Sequence, residues 1–243
     1  MKQIPLAIGP EPAPTFDSFV PGANAAALQH LCALVLPTAP VYLWGPTGSG
    51  KTHLLRALAA RIRAEGRKVA WFDATQALPW ALPPGAALAC IDRCEDLDPD
   101  AQHAAFSLFV EAAAQGVQMA AGGGLPPVDL PLRDDLRTRL AWGHVFALHP
   151  LTEAETRAVL RREADRRGIL LSDEVMNHLL TRFERDLSHL MRLLDRLDRF
   201  ALANARPVTV PLLRQMLQEE GAGTADTAAD AVDPSAAQLA HAR

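Results

Sequence analysis

The octapeptide Gly45-Pro-Thr-Gly-Ser-Gly-Lys-Thr52 constrains this chain more than any other stretch. It fits the pattern G-x-x-x-x-G-K-[ST] without a mismatch and has the flanks such a loop requires. The apolar run Val41-Tyr-Leu-Trp44 precedes it as a buried strand, and from His53 to Ala64 the residues Leu54, Leu55, Leu58 and Ile62 recur at helical spacing, stopping at Gly66. Gly45, Gly48 and Gly50 let the backbone bend until its N–H groups and the helix N-terminus face one anion. Pro46, Thr47 and Ser49 complete the cradle, Lys51 brings a point charge to the β and γ oxygens of a nucleotide, and the Thr52 hydroxyl reaches for Mg²⁺.

The strand and helix signals continue to alternate. Val69-Ala-Trp-Phe72 reads as a second strand and Ala87-Leu-Ala-Cys-Ile91 as a third. A helix over 101–114 and a strand over 117–121 follow, and Val145-Phe-Ala-Leu148 supplies a fifth strand. Such alternation predicts an α/β domain around a parallel sheet. Before the first strand, a helix over 28–36 is expected to stop at Pro37 and Pro40. After Pro150 only helical signals remain. Thr152 and Glu155 form a capping box, Gly168 stops that helix, Ser172 caps another, Leu187, Leu190, Leu194, Leu197 and Ala201 mark a third, and Thr209-Val-Pro211 opens a last one. The expected organisation is an extended Pro-rich arm over 1–14, a nucleotide-binding α/β domain over 15–150, a small helical domain over 151–219, and a disordered tail over 220–243.

Composition narrows the function classes. With 49% apolar and 21% charged residues and no apolar run of bilayer length, membrane spanning is not expected. A net charge of −4 argues against a broad basic surface for nucleic acid, so an acidic partner must be met locally. Cys32, Cys90 and Cys94 are too few for a disulfide framework and complete no zinc site, which fits a reducing cytoplasm. The first residues lack the apolar h-region of a secretory signal. The histidines show no metal-ligand spacing, and Trp44, Trp71 and Trp80 read as packing residues.

Asp92, at the end of an apolar strand, suits the second metal-side carboxylate of a phosphate-loop NTPase. The next position, where many such enzymes carry an acid that orients the attacking water, is Arg93, which accepts no proton. Glu95 is a candidate substitute, although Glu95, Asp96 and Asp98 also read as a solvated turn.

With these motifs in place the chain resembles the AAA+ ATPases of the initiator clade, most closely the Hda-type regulatory inactivators of the bacterial initiator DnaA. The resemblance covers residues 3–218 and is carried by FDSFVPGANAAAL (16–28), GPTGSGKT, ALACID (87–92), LPLRDDLRTRLAWG (130–143), FALHPLTEAE (146–155) and RDLSHLMRLLDRLDRFAL (185–202). It implies an AAA+ P-loop domain with a parallel sheet plus a small all-helical lid. It also implies bound ADP or ATP with Mg²⁺ at Thr52 and Asp92, DnaA as partner, and a sliding clamp through which DNA is met mainly indirectly. Self-association is compatible with it. In that family the arm binds the clamp, and Gln3, Leu6 and Ile8 match its motif. Arg139 matches the arginine finger that reaches a neighbouring subunit's nucleotide, with Arg137 in a supporting place.

Phe19 to Gly22 falls in the segment that meets the adenine in that family, although Phe16 and Phe19 also read as core. Two departures accompany the match. Ala121-Gly-Gly-Gly124 stands where the family carries a polar sensor, and Ser188, near His189 and Arg192, stands where relatives carry a lid arginine. The implied activity is therefore stimulation of DnaA's ATP hydrolysis, restraining re-initiation, with little autonomous turnover. An autonomous P-loop ATPase acting as helicase or DNA-remodelling loader is the rival. A P-loop phosphotransferase is a third class, for which no acceptor motif is evident.

Overall fold

The computed structural model describes residues 14–182 and 186–229, without the side chains of Ser188 and 220–229. Residues 1–13 lie outside it, so the expected clamp-binding residues Gln3, Leu6 and Ile8 are not among the described residues. The chain divides into two compact units, one ending at Thr156 and the other beginning at Arg157.

Five strands build the first unit: β1 (Val41–Trp44), β2 (Lys68–Phe72), β3 (Ala86–Ile91), β4 (Gln118–Gly123) and β5 (His144–Ala147). They form one parallel sheet in the order β2-β3-β4-β1-β5. Consecutive parallel strands need crossover connections: α2 (Lys51–Ala64) joins β1 to β2, residues 73–85 join β2 to its neighbour β3 without a helix, α3 (Pro99–Gln115) joins β3 to β4, and α4 (Asp134–Ala141) precedes β5. The period-two alternation of side chains sends successive strand residues to opposite faces. Val41, Leu43, Leu88, Cys90 and Ala120 pack under Leu31 of α1 (Ala25–Ala33) and under Leu54, Leu55, Leu58 and Ile62 of α2. Tyr42, Ala89, Ile91, Met119 and Ala121 pack on the other face, against Ala105, Leu108, Phe109 and Ala112 of α3 and Leu136 and Leu140 of α4. Each of these buried leucines contributes about 1.5–3 kcal/mol through apolar burial, so the loop between β1 and α2 is anchored at both ends by core.

The α/β class is as expected, with differences at the element ends. α1 closes at Ala33 rather than 36: Leu34 is already extended, ψ 118°, and Leu36, before Pro37, is disfavoured in helical conformation as well. α3 starts at Pro99: Asp98 caps it by accepting from the Ala101 N–H at 2.8 Å, and proline is suited to a first helical position. β4 runs past 121 through Gly122 and Gly123, pairing Trp44 with Gly123. α4 carries only two buried residues, Leu136 and Leu140, one turn apart, which is why periodicity alone does not announce it.

The second unit is helical: α5 (Glu153–Arg166, begun in the first unit), α6 (Asp173–Arg182), α7 (Leu187–Asn204) and α8 (Val210–Ala229). Its core gathers Leu160, Val175, Met176, Leu179, Leu190, Leu193, Leu194, Leu197, Leu212, Leu213 and Met216. The capping box before α5 closes both ways: the Glu155 carboxylate accepts from the Thr152 N–H at 2.8 Å, and the Thr152 hydroxyl oxygen accepts from the Glu155 N–H at 3.3 Å. Ser172 accepts from the Val175 N–H at 3.3 Å and Thr209 from the Leu212 N–H at 3.4 Å, opening α6 and α8. α8 continues past the expected boundary at 219, to Ala229, through a stretch whose alanines favour a helix while Gly221 and Gly223 do not. None of the described helices is long and apolar enough to cross a membrane.

Candidate nucleotide-binding site

The octapeptide lies where β1 ends, and the Gly45 N–H donates to the Gly123 carbonyl at 3.2 Å, tying the loop's first residue to the tip of β4. Glycine is required at two positions for two reasons each. Gly45 has φ +154° and a Cβ there would run into the Leu148 carbonyl oxygen; Gly50 has φ +96° and a Cβ would meet the Phe19 ring at 2.6 Å. The loop then passes into α2, whose first turn closes with the Leu54 N–H on the Gly50 carbonyl at 3.0 Å. The Ser49 hydroxyl is buried with no hydrogen-bond partner among the described residues. An orphaned donor inside a ring of glycines at a helix N-terminus fits an anion.

Lys51 donates to the Gly45 carbonyl at 2.6 Å and to the Pro46 carbonyl at 3.0 Å. Both are neutral acceptors, so the ammonium is held ready within its own loop and can turn to phosphate oxygens. Burial pushes its pKa down, while the charges of Glu95 and then Asp92 oppose that fall. Asp92 is buried, with one carboxylate oxygen accepting from the Thr52 hydroxyl at 2.8 Å and the other from the Arg93 N–H at 3.1 Å. Burial raises its pKa against those hydrogen bonds. Thr52 and Asp92 are thus adjacent hard oxygen donors, the set that Mg²⁺ takes beside phosphate.

Arg93 adopts the left-handed region, φ 54°, uncommon for a side-chain-bearing residue. The turn points its guanidinium outward, 3.8 Å from Asp96, and brings Glu95 back over the strand tips. A Cβ at Gly123 would stand 3.2 Å from Glu95 Oε2, and one at Gly124 would stand 3.1 Å from Oε1. Glu95 Oε2 is buried without a hydrogen-bond partner among the described residues. The solvated-turn reading therefore holds for Asp96 and is corrected for Glu95, whose direction is set by the left-handed residue two positions before it. Asp98 is the cap of α3.

Two groups escape sequence reasoning. Tyr42 occupies the space beside Gly123, its hydroxyl donating to the Leu125 carbonyl at 2.9 Å and filling the place where a Cβ at 123 would stand. Burial first, then the charges of Cys94 and Glu95, push the phenol's pKa up. The sole signal was one hydroxyl within an apolar strand. The second is a groove of about 470 Å³ lined by Phe106, Asp135, Thr138, Arg139 and Trp142.

Arg139 sits in that groove on α4 with its guanidinium over the Trp142 ring, and among the described residues it makes no ion pair. Arg137 differs: it is held by Asp134 and donates to the Val128 carbonyl at 3.2 Å. Over the first turn of α2, Phe19 packs on Gly50 and tilts against His53, whose Nε2 is 2.9 Å from the Thr15 carbonyl oxygen. Phe16 packs with the same core. Gly22, φ +48°, abuts Leu151. The structure thus brings together Gly45 to Thr52, Asp92 and Glu95, and places Arg139 on a separate helix.

A five-stranded parallel sheet of this order, a phosphate loop after β1, and a helical second unit define an AAA+ P-loop protein. Comparisons with known proteins narrow the class. Residues 153–217 match the family model described as "Hda, lid domain", and residues 11–78 match that of the bacterial DnaA ATPase domain. Domain III of the Thermotoga maritima replication initiation protein DnaA superposes with a TM-score of 0.68 at 20% identity, over 86% of this chain and 98% of that one. AMPPCP-bound DnaA from Aquifex aeolicus gives 0.61 at 18% identity, covering 77% and 66%. A mutant form of Thermotoga maritima RuvB gives 0.60 at 17% identity, covering 84% and 72%. The helical unit thus resembles the lid of Hda and the first part of the α/β unit resembles the ATPase domain of DnaA, on a fold shared with domain III of DnaA.

Proposed function

We propose that this chain is a nucleotide-bound regulator which, docked on the DNA-loaded sliding clamp through its 1–14 arm, stimulates ATP hydrolysis by DnaA and so represses re-initiation of replication. The observation that carries this reading is the state of Arg139. A guanidinium backed by an exposed indole, with no carboxylate to satisfy it among the described residues, suits a phosphate offered by a neighbouring molecule. In that role it stabilises charge that develops as the γ-phosphoryl leaves DnaA's nucleotide.

The chain's own centre supports the same division of labour. Lys51 turns from the Gly45 and Pro46 carbonyls to the β-phosphate of bound ADP or ATP, the Gly45–Thr52 backbone N–H groups hold the remaining oxygens, and Thr52 with Asp92 hold Mg²⁺. Bound Mg²⁺ screens phosphate charge. Arg93 cannot take a proton from water, and Gly122 to Gly124 offer no side-chain donor to a γ-phosphate, so autonomous turnover is slow. The AMPPCP-bound state of the Aquifex DnaA supports a nucleotide here by analogy of fold. The protein acts in the cytoplasm and meets DNA mainly through the clamp.

The test is DnaA's ATP hydrolysis with and without this protein and clamp-loaded DNA. Stimulation that requires both supports the reading. Turnover by the isolated protein at about 1 s⁻¹ or faster supports the autonomous ATPase instead.

A further inference from the structure

The charges around the start of α4 are shared out unevenly. Three arginines, Arg133, Arg137 and Arg139, fall within a stretch that carries two carboxylates, Asp134 and Asp135. Asp134 holds Arg137. Asp135 accepts from the Arg133 guanidinium at 2.7 Å through one oxygen and from the Leu136 N–H at 2.7 Å through the other. Arg133 is in turn tied to α3 twice: its N–H donates to the side-chain oxygen of the buried Gln102 at 3.0 Å, and its guanidinium donates to His103 Nδ1 at 2.9 Å. Both acids are therefore occupied, and Arg139 is the arginine of the three left to the Trp142 ring.

Resting on the arginine-finger reading above, we propose that Arg133 is a positioning residue for Arg139: by occupying Asp135 it keeps that carboxylate from capturing the finger. Asp135 and Arg139 stand four residues apart on α4, with the acid on the N-terminal side, and both line the groove beside Thr138. That spacing and that order favour an ion pair within one helix. Without a competitor, Asp135 would draw the guanidinium back along α4, and a phosphate offered from outside would have to break that pair first. Arg133 prevails because it is fixed in advance. Its backbone and its side chain both bond to α3, so little freedom is lost in holding Asp135, whereas Arg139 would give up the freedom of a long side chain. The Arg133 and Asp135 side chains are 42% and 36% exposed, so the competition is worth a few-fold and not orders of magnitude.

Single-turnover hydrolysis by ATP-bound DnaA, with clamp-loaded DNA and increasing amounts of the full chain, separates the maximal stimulated rate from the concentration that gives half of it. Arg133→Ala should lower the maximal rate about two- to threefold, the weight of one ion pair within a helix, and leave the half-maximal concentration and nucleotide affinity near wild type. Adding Asp135→Asn to Arg133→Ala should bring the rate back to that of Asp135→Asn by itself, a recovery that a merely structural role for Arg133 does not give. Arg133→Lys, which keeps a cation on Asp135, should stay near wild type. In an Arg139→Ala background, Arg133→Ala should change nothing further. An undiminished rate in Arg133→Ala, a loss that Asp135→Asn does not relieve, or the same loss in the Arg139→Ala background overturns the inference while leaving the finger reading intact. Wild type that does not stimulate, or Arg139→Ala that stimulates fully, removes the finger reading and this inference with it.

Discussion

The guanidinium carbon of Arg139 lies 5.3 Å from the ring centroid of Trp142, three residues on, at the end of α4. The indole is 68% exposed, so this stack is presented to solvent and is not buried against the sheet. A cation held by a π face keeps its five donors available, whereas one held by a carboxylate does not. Arg137, two residues earlier, is of the second kind.

Arg139→Ala should therefore retain nucleotide and clamp binding and lose most stimulation of DnaA, on the order of 10³-fold in the stimulated rate. Arg139→Lys should rescue poorly, since an ammonium lacks the planar fork. Trp142→Ala should give a partial loss and Arg137→Ala a smaller one. Single-turnover hydrolysis by ATP-bound DnaA at saturating complex checks the series, and full stimulation by Arg139→Ala would move the finger elsewhere on 130–143.

Lys51→Ala should weaken nucleotide binding by at least about 100-fold, because charge-assisted hydrogen bonds to phosphate are worth roughly 1.5–3 kcal/mol each and the loop has no second lysine. Its melting temperature without nucleotide should stay near wild type or rise, since the mutation removes a partly desolvated charge. Calorimetry with ADP decides, and wild-type affinity would exclude the Gly45–Thr52 loop as the phosphate site.

Deleting residues 1–8, or changing Gln3 and Leu6 to Ala, should abolish binding to the sliding clamp and leave nucleotide affinity unchanged. Surface-immobilised clamp provides the measurement. Retained affinity in the deletion would mean that the six-residue match has no part in docking.

Acid should loosen the helical unit through Glu163. Hydrogen bonds from Arg166, then from Arg167, outweigh partial burial and hold its pKa down to about 2. Arg167 also pairs with Asp195 of α7, so the cluster joins two helices. A carboxyl depressed in the folded state stabilises above its unfolded pKa, and that contribution disappears as pH falls from about 4.5 toward 2. Thermal melts across that window should fall less steeply for Glu163→Gln than for wild type; parallel curves would mean that Glu163 has no part in the acid response.

Much of this was readable in advance because it rests on short-range rules. The Gly45–Thr52 loop, the strands around it, the Thr152/Glu155 capping box and the caps at Ser172 and Thr209 each depend on residues within a few positions of one another. What escaped depends on chain reversal and on distant neighbours. Glu95 looked like part of a charged turn because nothing in its spacing discloses that Arg93 adopts a left-handed conformation. Tyr42 looked like one more core residue, because its hydroxyl's acceptor lies 83 positions away, at Leu125. The helix bearing Arg139 had too few apolar residues to declare a period, and only resemblance drew notice to it.

The packing of Phe19 on Gly50 sets a limit on how far the protein can be trimmed. A chain begun at Gly22 would keep every residue of the phosphate-loop motif, yet it would strip the aromatic cover from Gly50 and take the Thr15 carbonyl and Ser18 hydroxyl from His53. A stable nucleotide-binding fragment is therefore expected to need Thr15, Ser18 and Phe19, well upstream of the first strand.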